Sequence, residues 1–401
     1  MRKRILLTSL TTLALATIAL LGQPLSAQET QVRAIAGTSL IDLQKIGYRV
    51  DWINQSPTTG LYLPTVTENS FYTMNQRDYL SRYDASTGKW LWSIPVGNNI
   101  FDMLSINEFD ETDRVTVFSD GVIYNFNTLT GTSPTGADSK PLTNLRWISN
   151  TPAIQIDNAL VYGSTKGDLV WLNPGTGSVT ARYQIGDSVK TTPAALSAIR
   201  HPNGRMRDII IGTAVNGTIS AIDKSSKSKL WSFQLTAPVT ATVSSATNST
   251  LINDETFPRS TIFIAGTDQY LRAVDFHTGR PRWRVLTSAK LTTPPAIYEN
   301  VLYQHIPQEG LACFETFPQD FSGKKHWTAN EVYGDVITTT ATGRLVCWDN
   351  VNKVLQILDP HNGGVTNTLS LPRAKEVLSD NPLNGSLFIL TEDDEIIRLA
   401  Q

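Results

Sequence analysis

The sequence predicts an all-β protein: an eight-bladed β-propeller of four-stranded antiparallel blades, closed by an N-terminal strand. Three observations lead to this prediction. A strand-and-turn unit recurs along most of the 401 residues, and in its clearest copies a Trp follows an Asp at one fixed offset. The turns of successive units mostly lie 43 to 52 residues apart. The two ends of the chain supply complementary parts of one further unit.

The composition fits a large globular domain and argues against a nucleic-acid partner. Apolar residues make up 40% of the chain, enough for a substantial core, and charged residues only 17%. The 34 basic side chains are balanced by 36 acidic ones, and no Lys/Arg-rich stretch follows Met1–Arg4. Because binding to a phosphate backbone needs a basic surface, we expect no nucleic-acid partner.

The N-terminus has the three parts of a secretory signal. A basic segment at residues 2–4 precedes an apolar run from Ile5 to Leu21, and the small residue Ala27 follows a Gly-Gln-Pro break. We predict cleavage after Ala27, with an uncleaved anchor as the alternative. The predicted organisation is a signal peptide over residues 1–27, a linker over 28–37 and the propeller over 38–401.

This signal predicts a periplasmic or secreted protein. No Cys lies near the cleavage site, so there is no lipobox Cys for lipid attachment. No other long apolar run follows, so we expect no transmembrane segment in the mature chain.

The repeat unit consists of an apolar strand, a Gly turn, a second strand ending in Asp or Asn, a short turn and a Trp-bearing strand. Its clearest copy runs from Ile209 through Gly217 to Phe233. Trp follows Asp by eight residues in three copies, with the pairs Asp84/Trp92, Asp223/Trp231 and Asp275/Trp283. Chance rarely repeats a two-residue offset three times, so the unit is structural.

Weaker copies fill the intervals between the strong ones. Three of them keep the turn but lose the Trp, at Asn127/Gly131, Asn173/Gly177 and Asp359/Gly363. A fourth is Gly310–Glu315, whose extended turn reaches Trp327. Strong and weak copies together make seven units.

The residue types of a unit suit antiparallel hairpins. Asn216-Gly217 is a tight-turn dipeptide between two runs of Ile, Thr and Ala. Asp or Asn at the strand end accepts backbone N–H groups in the following turn, where Gly tolerates a positive φ. Such a sheet cannot bury both faces alone, so the units must stack around an axis as blades of a propeller.

The chain ends supply the eighth blade. After the seventh unit, three strands are predicted at Ala374–Ser379, Gly385–Thr391 and Glu395–Ala400, and no fourth follows. The segment Gly47–Ile53, which contains Trp52, resembles the missing Trp strand. Pairing the two ends closes the ring and removes exposed strand edges. Seven blades is the alternative, if the divergent unit near residues 98–140 is miscounted.

Cysteine and histidine residues give little sign of chemistry. Cys313 and Cys347 could form a disulfide in an oxidising compartment. We favour the interpretation that each is a small buried residue in its own strand. The five histidines are scattered along the chain, and no Cys/His metal cluster or haem-attachment motif is present.

The strongest copies share the pattern Gly-x-Leu/Ile-x-Ala-Leu/Ile-Asp-x-x-x-Gly-x-x-x-Trp, carried by Asp84/Gly88/Trp92, Asp223/Trp231 and Asp275/Gly279/Trp283. This pattern resembles the repeat of pyrroloquinoline-quinone (PQQ)-type propellers. The resemblance covers most of the mature chain. It implies that the recurring Trp docks one blade on the next and need not touch a cofactor.

Two branches of this family imply different functions. The quinoprotein dehydrogenases oxidise alcohols or sugars with PQQ and Ca²⁺, and the resemblance to them implies a vicinal Cys pair and Glu/Asn/Asp ligands. Cys313 and Cys347 are 34 positions apart, and no convergent ligand set can be named. The second branch comprises periplasmic scaffolds of the BamB type, accessory to outer-membrane β-barrel assembly. Size, export signal and blade count fit it, and the missing lipobox Cys departs from it.

We therefore expect a non-catalytic scaffold for protein–protein interaction, with outer-membrane protein assembly as its most specific role. The alternatives are a PQQ-dependent oxidoreductase and a ligand- or carbohydrate-binding propeller. No catalytic, cofactor-binding or metal-binding residue is predicted, and the partner is expected to be a protein bound by a monomer. The acidic run Glu392–Glu395 is interpreted as a hairpin tip, and four tryptophans as core residues: Trp90, Trp147, Trp171 and Trp348.

Overall fold

A computed structural model of the chain describes residues 35–97, 100–134, 142–200, 206–248, 259–318 and 322–401. The predicted signal peptide lies outside the described residues. The chain enters the fold through a short helix, α1 (Leu40–Lys45), followed by β1 (Arg49–Gln55). No helix in the described part of the chain is long and apolar enough to span a bilayer.

The next four groups of strands each form one antiparallel sheet. Blade 1 contains β2 (Leu61–Val66), β3 (Ser70–Asn75), β4 (Tyr79–Asp84) and β5 (Trp90–Pro95). Blade 2 contains β6 (Met103–Phe109), β7 (Arg114–Ser119), β8 (Val122–Asn127) and β9 (Leu142–Asn144). Blade 3 contains β10 (Ile154–Ile156), β11 (Ala159–Gly163), β12 (Asp168–Leu172) and β13 (Val179–Gln184). Blade 4 contains β14 (Ala194–Arg200), β15 (Met206–Thr213), β16 (Thr218–Asp223) and β17 (Lys229–Gln234).

The remaining strands form four more such sheets. Blade 5 contains β18 (Ser244–Asn248), β19 (Arg259–Ala265), β20 (Tyr270–Asp275) and β21 (Pro281–Leu286). Blade 6 contains β22 (Ala296–Tyr298), β23 (Val301–Ile306), β24 (Gly310–Glu315) and β25 (Lys325–Ala329). Blade 7 contains β26 (Asp335–Thr339), β27 (Leu345–Asp349), β28 (Val354–Leu358) and β29 (Val365–Ser370). Blade 8 contains β30 (Ala374–Ser379), β31 (Leu387–Thr391), β32 (Glu395–Ala400) and β1.

The eight sheets stand around an axis, and the strands of each blade are called A to D from the axis outward. The A strands of neighbouring blades contact each other, as β14 does β18 and β18 does β22. The prediction of eight blades is confirmed, and the unit near residues 98–140 is a true blade rather than a miscounted one. Each blade buries both faces against its neighbours, in hydrophobic clusters shared between adjacent sheets.

The Trp of the repeat docks one blade on the next, as the spacing predicts. Trp231 of β17 is buried, and its Nε1–H donates to the carbonyl oxygen of Phe276, 2.9 Å away, in the turn between strands C and D of blade 5. Gly279 lies beneath the indole, where a Cβ atom would come within 2.7 Å of the ring. The same arrangement recurs for Trp52 over Gly88, Trp92 over Gly131 and Trp327 over Gly363.

A β-bulge aims the docking Trp. In blade 4 Trp231 pairs with Ala221 and Lys229 pairs with Ile222, so Leu230 is the extra residue. The same register shift precedes the Trp of blades 1, 5 and 6. A bulge bends the strand and increases its twist, which turns the following indole towards the next blade.

The chain ends close the ring through a paired strand. β1 runs antiparallel to β32 from Arg49↔Ala400 to Gln55↔Glu395, so blade 8 contains both ends of the domain. Asp51 accepts a hydrogen bond from Arg398 across this junction at 2.8 Å, and Trp52 donates to the carbonyl oxygen of Ala85 in blade 1 at 3.1 Å. The prediction of closure by an N-terminal strand is therefore confirmed.

Helix α1 occupies the place where blade 8 has no turn between strands C and D. Leu43 and Ile46 are buried against Leu369 and Leu371 of the blade 7 edge. The backbone N–H of Asp42 donates to the Ser39 side chain, which caps the helix. Ile35, within the predicted linker, is buried in the same cluster.

Candidate protein-binding face

One end of the propeller is formed by two kinds of connection. The loops that run from strand D of a blade to strand A of the next lie beside the turns between strands B and C, and we call this end the D–A face. The opposite end carries the A–B connections and the C–D turns that receive the docking Trp side chains. The docking Trp side chains contact the C–D turns, as Trp231 and Trp327 do. The loops of the D–A face do not take part in these contacts.

Backbone hydrogen bonds hold the D–A loops in place within a blade. The first loop residue donates its N–H to a carbonyl oxygen of the B–C turn of the same blade at 2.7 to 2.9 Å. The pairs are Val96 with Asp78, Leu145 with Gly121, Ile185 with Gly167, Leu235 with Gly217, Thr287 with Gln269 and Leu371 with Lys353. Six blades therefore share this hydrogen bond despite different loop sequences.

Further bonds link the face from one blade to the next. The B–C turn of the following blade donates back to the loop in five cases, at 2.8 to 3.3 Å. The pairs are Asp120 with Asp102, Thr165 with Ile148, Val215 with Ser188, Thr267 with Pro238 and Glu392 with Arg373. A loop fixed from both sides has little conformational entropy left to lose when a partner binds. The loops at this end of the molecule are thus preorganised, which makes the D–A face a candidate binding surface.

Two isoleucines on adjacent D–A loops project into solvent. Ile100, between blades 1 and 2, is 73% exposed, and Ile148, between blades 2 and 3, is 55% exposed. The turn at Asp120 joins their loops, because its N–H donates to the carbonyl oxygen of Asp102 and its carbonyl accepts from Ser149 at 2.8 Å. Both apolar side chains therefore stand on one continuous, hydrogen-bonded segment of the face.

An aromatic side chain in contact with two guanidinium groups lies next to Ile148 in the chain. The Arg146 guanidinium lies 4.8 Å from the ring centroid of Trp147, and that of Arg182 lies 5.3 Å from it. The Trp147 carbonyl oxygen accepts a hydrogen bond from the Tyr162 hydroxyl at 2.9 Å, which fixes the backbone beneath the indole. Burial raises the pKa of Tyr162, so this hydroxyl remains a donor across the physiological range.

These side chains form what we call the blade 2–3 patch: Ile100, Arg146, Trp147, Ile148 and Arg182. Trp and Arg are the residue types most enriched among those that dominate protein–protein binding energy. The patch combines them with two exposed aliphatic side chains on rigid loops. Chemically, it suits a partner that offers an apolar surface and hydrogen-bond acceptors.

The structure shows where the residues considered in the sequence lie. The acidic run Glu392–Glu395 spans the B–C hairpin tip of blade 8, as predicted, and Asp394 accepts the backbone N–H groups of Gly60 and Leu61 at 2.9 and 2.8 Å. Cys313 and Cys347 are free and buried in the cluster between blades 6 and 7. The described residues contain no group of three or more His, Cys, Asp or Glu placed to hold a metal ion.

The four tryptophans interpreted as core residues differ in their solvent exposure. Trp171 and Trp348 are buried, which confirms that interpretation, and Trp147 is half-buried within the patch. For Trp90 the interpretation is wrong, because its side chain is 43% exposed on the outermost strand of blade 1. A D strand has no neighbour within its own sheet on the outer side, so an indole that does not turn towards the next blade remains in solvent.

The sequence reasoning missed the two exposed isoleucines. Each stands in a polar loop segment, Ile100 after Gly97-Asn98-Asn99 and Ile148 before Ser149-Asn150. A lone aliphatic residue in such a polar segment was the only indication in the sequence of an exposed apolar contact residue. It becomes meaningful only once the fold places the two loops side by side.

Comparisons with known proteins agree with this architecture. The family profile described as "Outer membrane protein assembly factor BamB" matches residues 42–209 and 203–369. The crystal structure of BamB from Moraxella catarrhalis superposes with a TM-score of 0.61 at 16% sequence identity, covering 87% of this chain and 98% of that one. The crystal structure of the computationally designed Ika8 protein gives 0.60 at 12% identity, covering 88% and 98%. At these identities the two structures show the fold alone, and no curated protein matches the chain.

Proposed function

The chain belongs to the family of the outer membrane protein assembly factor BamB, and on that premise we propose that it is a non-catalytic scaffold for protein–protein interaction in the cell envelope. Its most specific role is then to hold components of outer-membrane protein assembly. The observation that carries the proposal is the blade 2–3 patch on preorganised loops of the D–A face. Such a surface binds a protein without a chemical step.

The proposal includes the route to the envelope. The secretory signal of residues 1–27 supports export and cleavage after Ala27, which leaves a periplasmic or secreted chain. No Cys is available at that site for a lipid. The partner rather than an acyl chain then holds the protein at the membrane, and the protein acts as a monomer over residues 38–401.

Co-purification of substituted chains from the envelope tests this function. Ile148→Asp places a charge in the apolar part of the patch, while Ile148 makes its backbone contact through its carbonyl oxygen, which the substitution keeps. We expect the variant to fold and to lose co-purification with outer-membrane assembly components. Leu129→Asp is the matched control, since Leu129 is 63% exposed on the opposite end of blade 2. Equal recovery of the components with both variants would contradict the assignment of the face.

A further inference from the structure

A second surface lies on the outer wall of the propeller, and one of its ends reaches the D–A face at Leu235 and Thr236. A groove of about 960 Å³ runs between β17 of blade 4 and the strands β20 and β21 of blade 5. It extends from Thr236 and Asp268 at one end of the blades to Gly279 and Pro281 at the other. A six-residue strand is roughly 20 Å long, so the groove has the length of a short extended peptide.

The walls of the groove are aromatic and apolar. Phe233 lies on one side, where its ring stacks on Trp231 with 5.6 Å between the centroids. Tyr270 lies on the other side, and Leu235 and Val274 also contribute to the lining. These side chains offer a surface for the apolar residues of a bound segment.

The charges of the groove are mainly basic. Its lining contains Arg272, Arg282 and Arg284 against a single lining carboxylate, Asp268. This excess stands out in a chain whose formal net charge is −2. A basic groove in an acidic protein attracts an anionic ligand by charge complementarity.

Two of the three arginines already have carboxylate partners. Arg272 donates to Asp268 at 2.7 Å through Nη1 and again through Nη2, and both side chains are largely buried. Burial opposes ionisation of Asp268, but the bonds and the charge of Arg272 outweigh it and lower the pKa of the carboxyl. Arg282 donates to Asp275 at 2.7 Å.

Arg284 is different, because it has no carboxylate partner in the part of the chain that the structure describes. Its guanidinium stacks on one side of Tyr270 at 5.0 Å from the ring centroid, and Arg272 stacks on the same ring at 4.9 Å. The aromatic ring orients the guanidinium over the groove. Its donors are thus positioned and available to a ligand.

We propose that this groove between blades 4 and 5 binds an extended peptide segment in which acidic side chains alternate with aromatic or aliphatic ones. A carboxylate of the segment pairs with Arg284, and its apolar side chains lie on Phe233 and Tyr270. Successive side chains of an extended chain point to opposite faces, so the acidic side chains of an alternating segment lie on one face and its apolar side chains on the other. This proposal is independent of the function assigned to the D–A face.

The test is a titration of the full chain with a fluorescein-labelled hexapeptide of alternating aspartate and phenylalanine, followed by fluorescence anisotropy. We expect saturable binding that Arg284→Glu weakens by about tenfold or more, since a charge-assisted pair becomes a repulsive one. Arg280→Glu is the matched control, because Arg280 is exposed on the same segment and does not line the groove. That variant is expected to bind as the parent does, and the peptide with asparagine in place of aspartate is expected not to bind.

Three results would overturn the proposal. One is the absence of binding by the parent chain, and another is an equal loss of affinity in the Arg284 and Arg280 variants, which indicates unspecific attraction. The third is Arg284-dependent binding of phosphatidylglycerol vesicles with no binding of the peptide, which assigns the groove to a lipid surface. Arg284 is not part of the blade 2–3 patch, so we expect the Arg284→Glu variant to co-purify with envelope components as the parent chain does. This result would show that the groove and the D–A face act separately.

Discussion

At the scale of single residues, the repeat is explained by one contact between a Trp and a Gly. The indole of one blade lies on the Gly of the next blade's turn, and a Cβ at Gly88, Gly279 or Gly363 would come within 2.4 to 2.7 Å of that ring. The turn's Asp accepts the N–H groups of the following residues, as Asp275 does from His277 and Thr278. Spacing in the sequence thus reflects a contact between blades.

Replacing Trp231 by Ala tests this contact. The substitution removes a buried side chain and leaves the Phe276 carbonyl without its donor, so we expect a loss of about 3–5 kcal/mol in the free energy of unfolding. Trp283→Ala is expected to behave similarly, because Trp283 is also buried. Trp90→Ala is the control: its exposed side chain predicts a change within about 0.5 kcal/mol. Thermal or denaturant unfolding measures all three, and an unchanged stability in Trp231→Ala would refute the docking role.

A histidine at the junction of blades 6 and 7 makes stability depend on pH. His305 lines a cavity of about 290 Å³ together with Asp335, and its Nε2 is buried without a hydrogen-bond partner in the described part of the chain. Its ring meets that of Tyr333 edge-on at 6.5 Å. Burial lowers the pKa of His305 below its ordinary 6.5, although the charges of Asp335 and Asp349 oppose this.

Acid is therefore expected to destabilise this junction through His305. Because the pKa is lower in the fold, the unfolded chain binds more protons as pH falls through 6.5. The full free energy of unfolding is therefore present above pH 6.5, where His305 is neutral in both states. Part of it is lost as pH falls from 6.5 towards the lower pKa of His305 in the fold. Burial raises the pKa of Asp335, so the folded chain takes up a proton there before the unfolded chain does. This group therefore stabilises the fold as pH falls, which is opposite to the effect of His305.

Melting temperatures of the parent chain and of His305→Gln check this prediction. Between about pH 7.5 and about pH 5.5 the parent should lose more stability than the variant, which has no titrating group at this position. Both chains retain Asp335 and Asp349, whose pKa values the charge of His305 lowers, so the difference between the two curves reports His305 together with its coupling to these carboxyls. Identical curves would show that His305 does not titrate differently in the folded and unfolded states.

At the scale of secondary-structure elements, the closing strand matters most. β1 supplies the D strand of blade 8, and Trp52 and Tyr48 connect it to blade 1 and to the end of the chain, where the Gln401 side chain donates to the Tyr48 hydroxyl at 3.0 Å. Without β1, β32 becomes an exposed edge. If α1 is removed with it, the hydrophobic cluster between α1 and blade 7 is lost as well.

Truncation tests the role of this element. A chain beginning at Ser56 lacks α1 and β1, and we expect it to lose cooperative thermal unfolding and to be digested rapidly by protease. A chain beginning at Ile35 keeps every described contact and is the control. Cooperative unfolding of the shorter chain, at the temperature of the control, would disprove closure by the N-terminal strand.

The elements show how far sequence reasoning reaches. The strands Ala374–Ser379 and Glu395–Ala400 are observed with the predicted bounds, because Gly and Asp turns mark their ends in the chain. The exposure of Trp90 was not predictable in the same way. It depends on which strand is outermost and on a bulge next to it, and both follow from contacts between residues that are distant in sequence.

At the scale of the whole molecule, the ring explains why the proposed binding surface is hidden in the sequence. Ile100 and Ile148 are separated by a complete blade, yet their loops meet at the turn at Asp120. The low proportion of charged residues has the same origin, since most blade faces are buried against neighbours. What remains for function is the set of loops at the two ends and the grooves of the outer wall.

Site-specific photo-crosslinking in the envelope tests whether the D–A face binds components of outer-membrane protein assembly, as we propose. A photoreactive amino acid replaces Ile148 in one chain and Leu129, of similar exposure, in another. We expect crosslinks to assembly components from position 148 and none from position 129. Crosslinks from position 129 alone, or none from either position, would contradict this proposal.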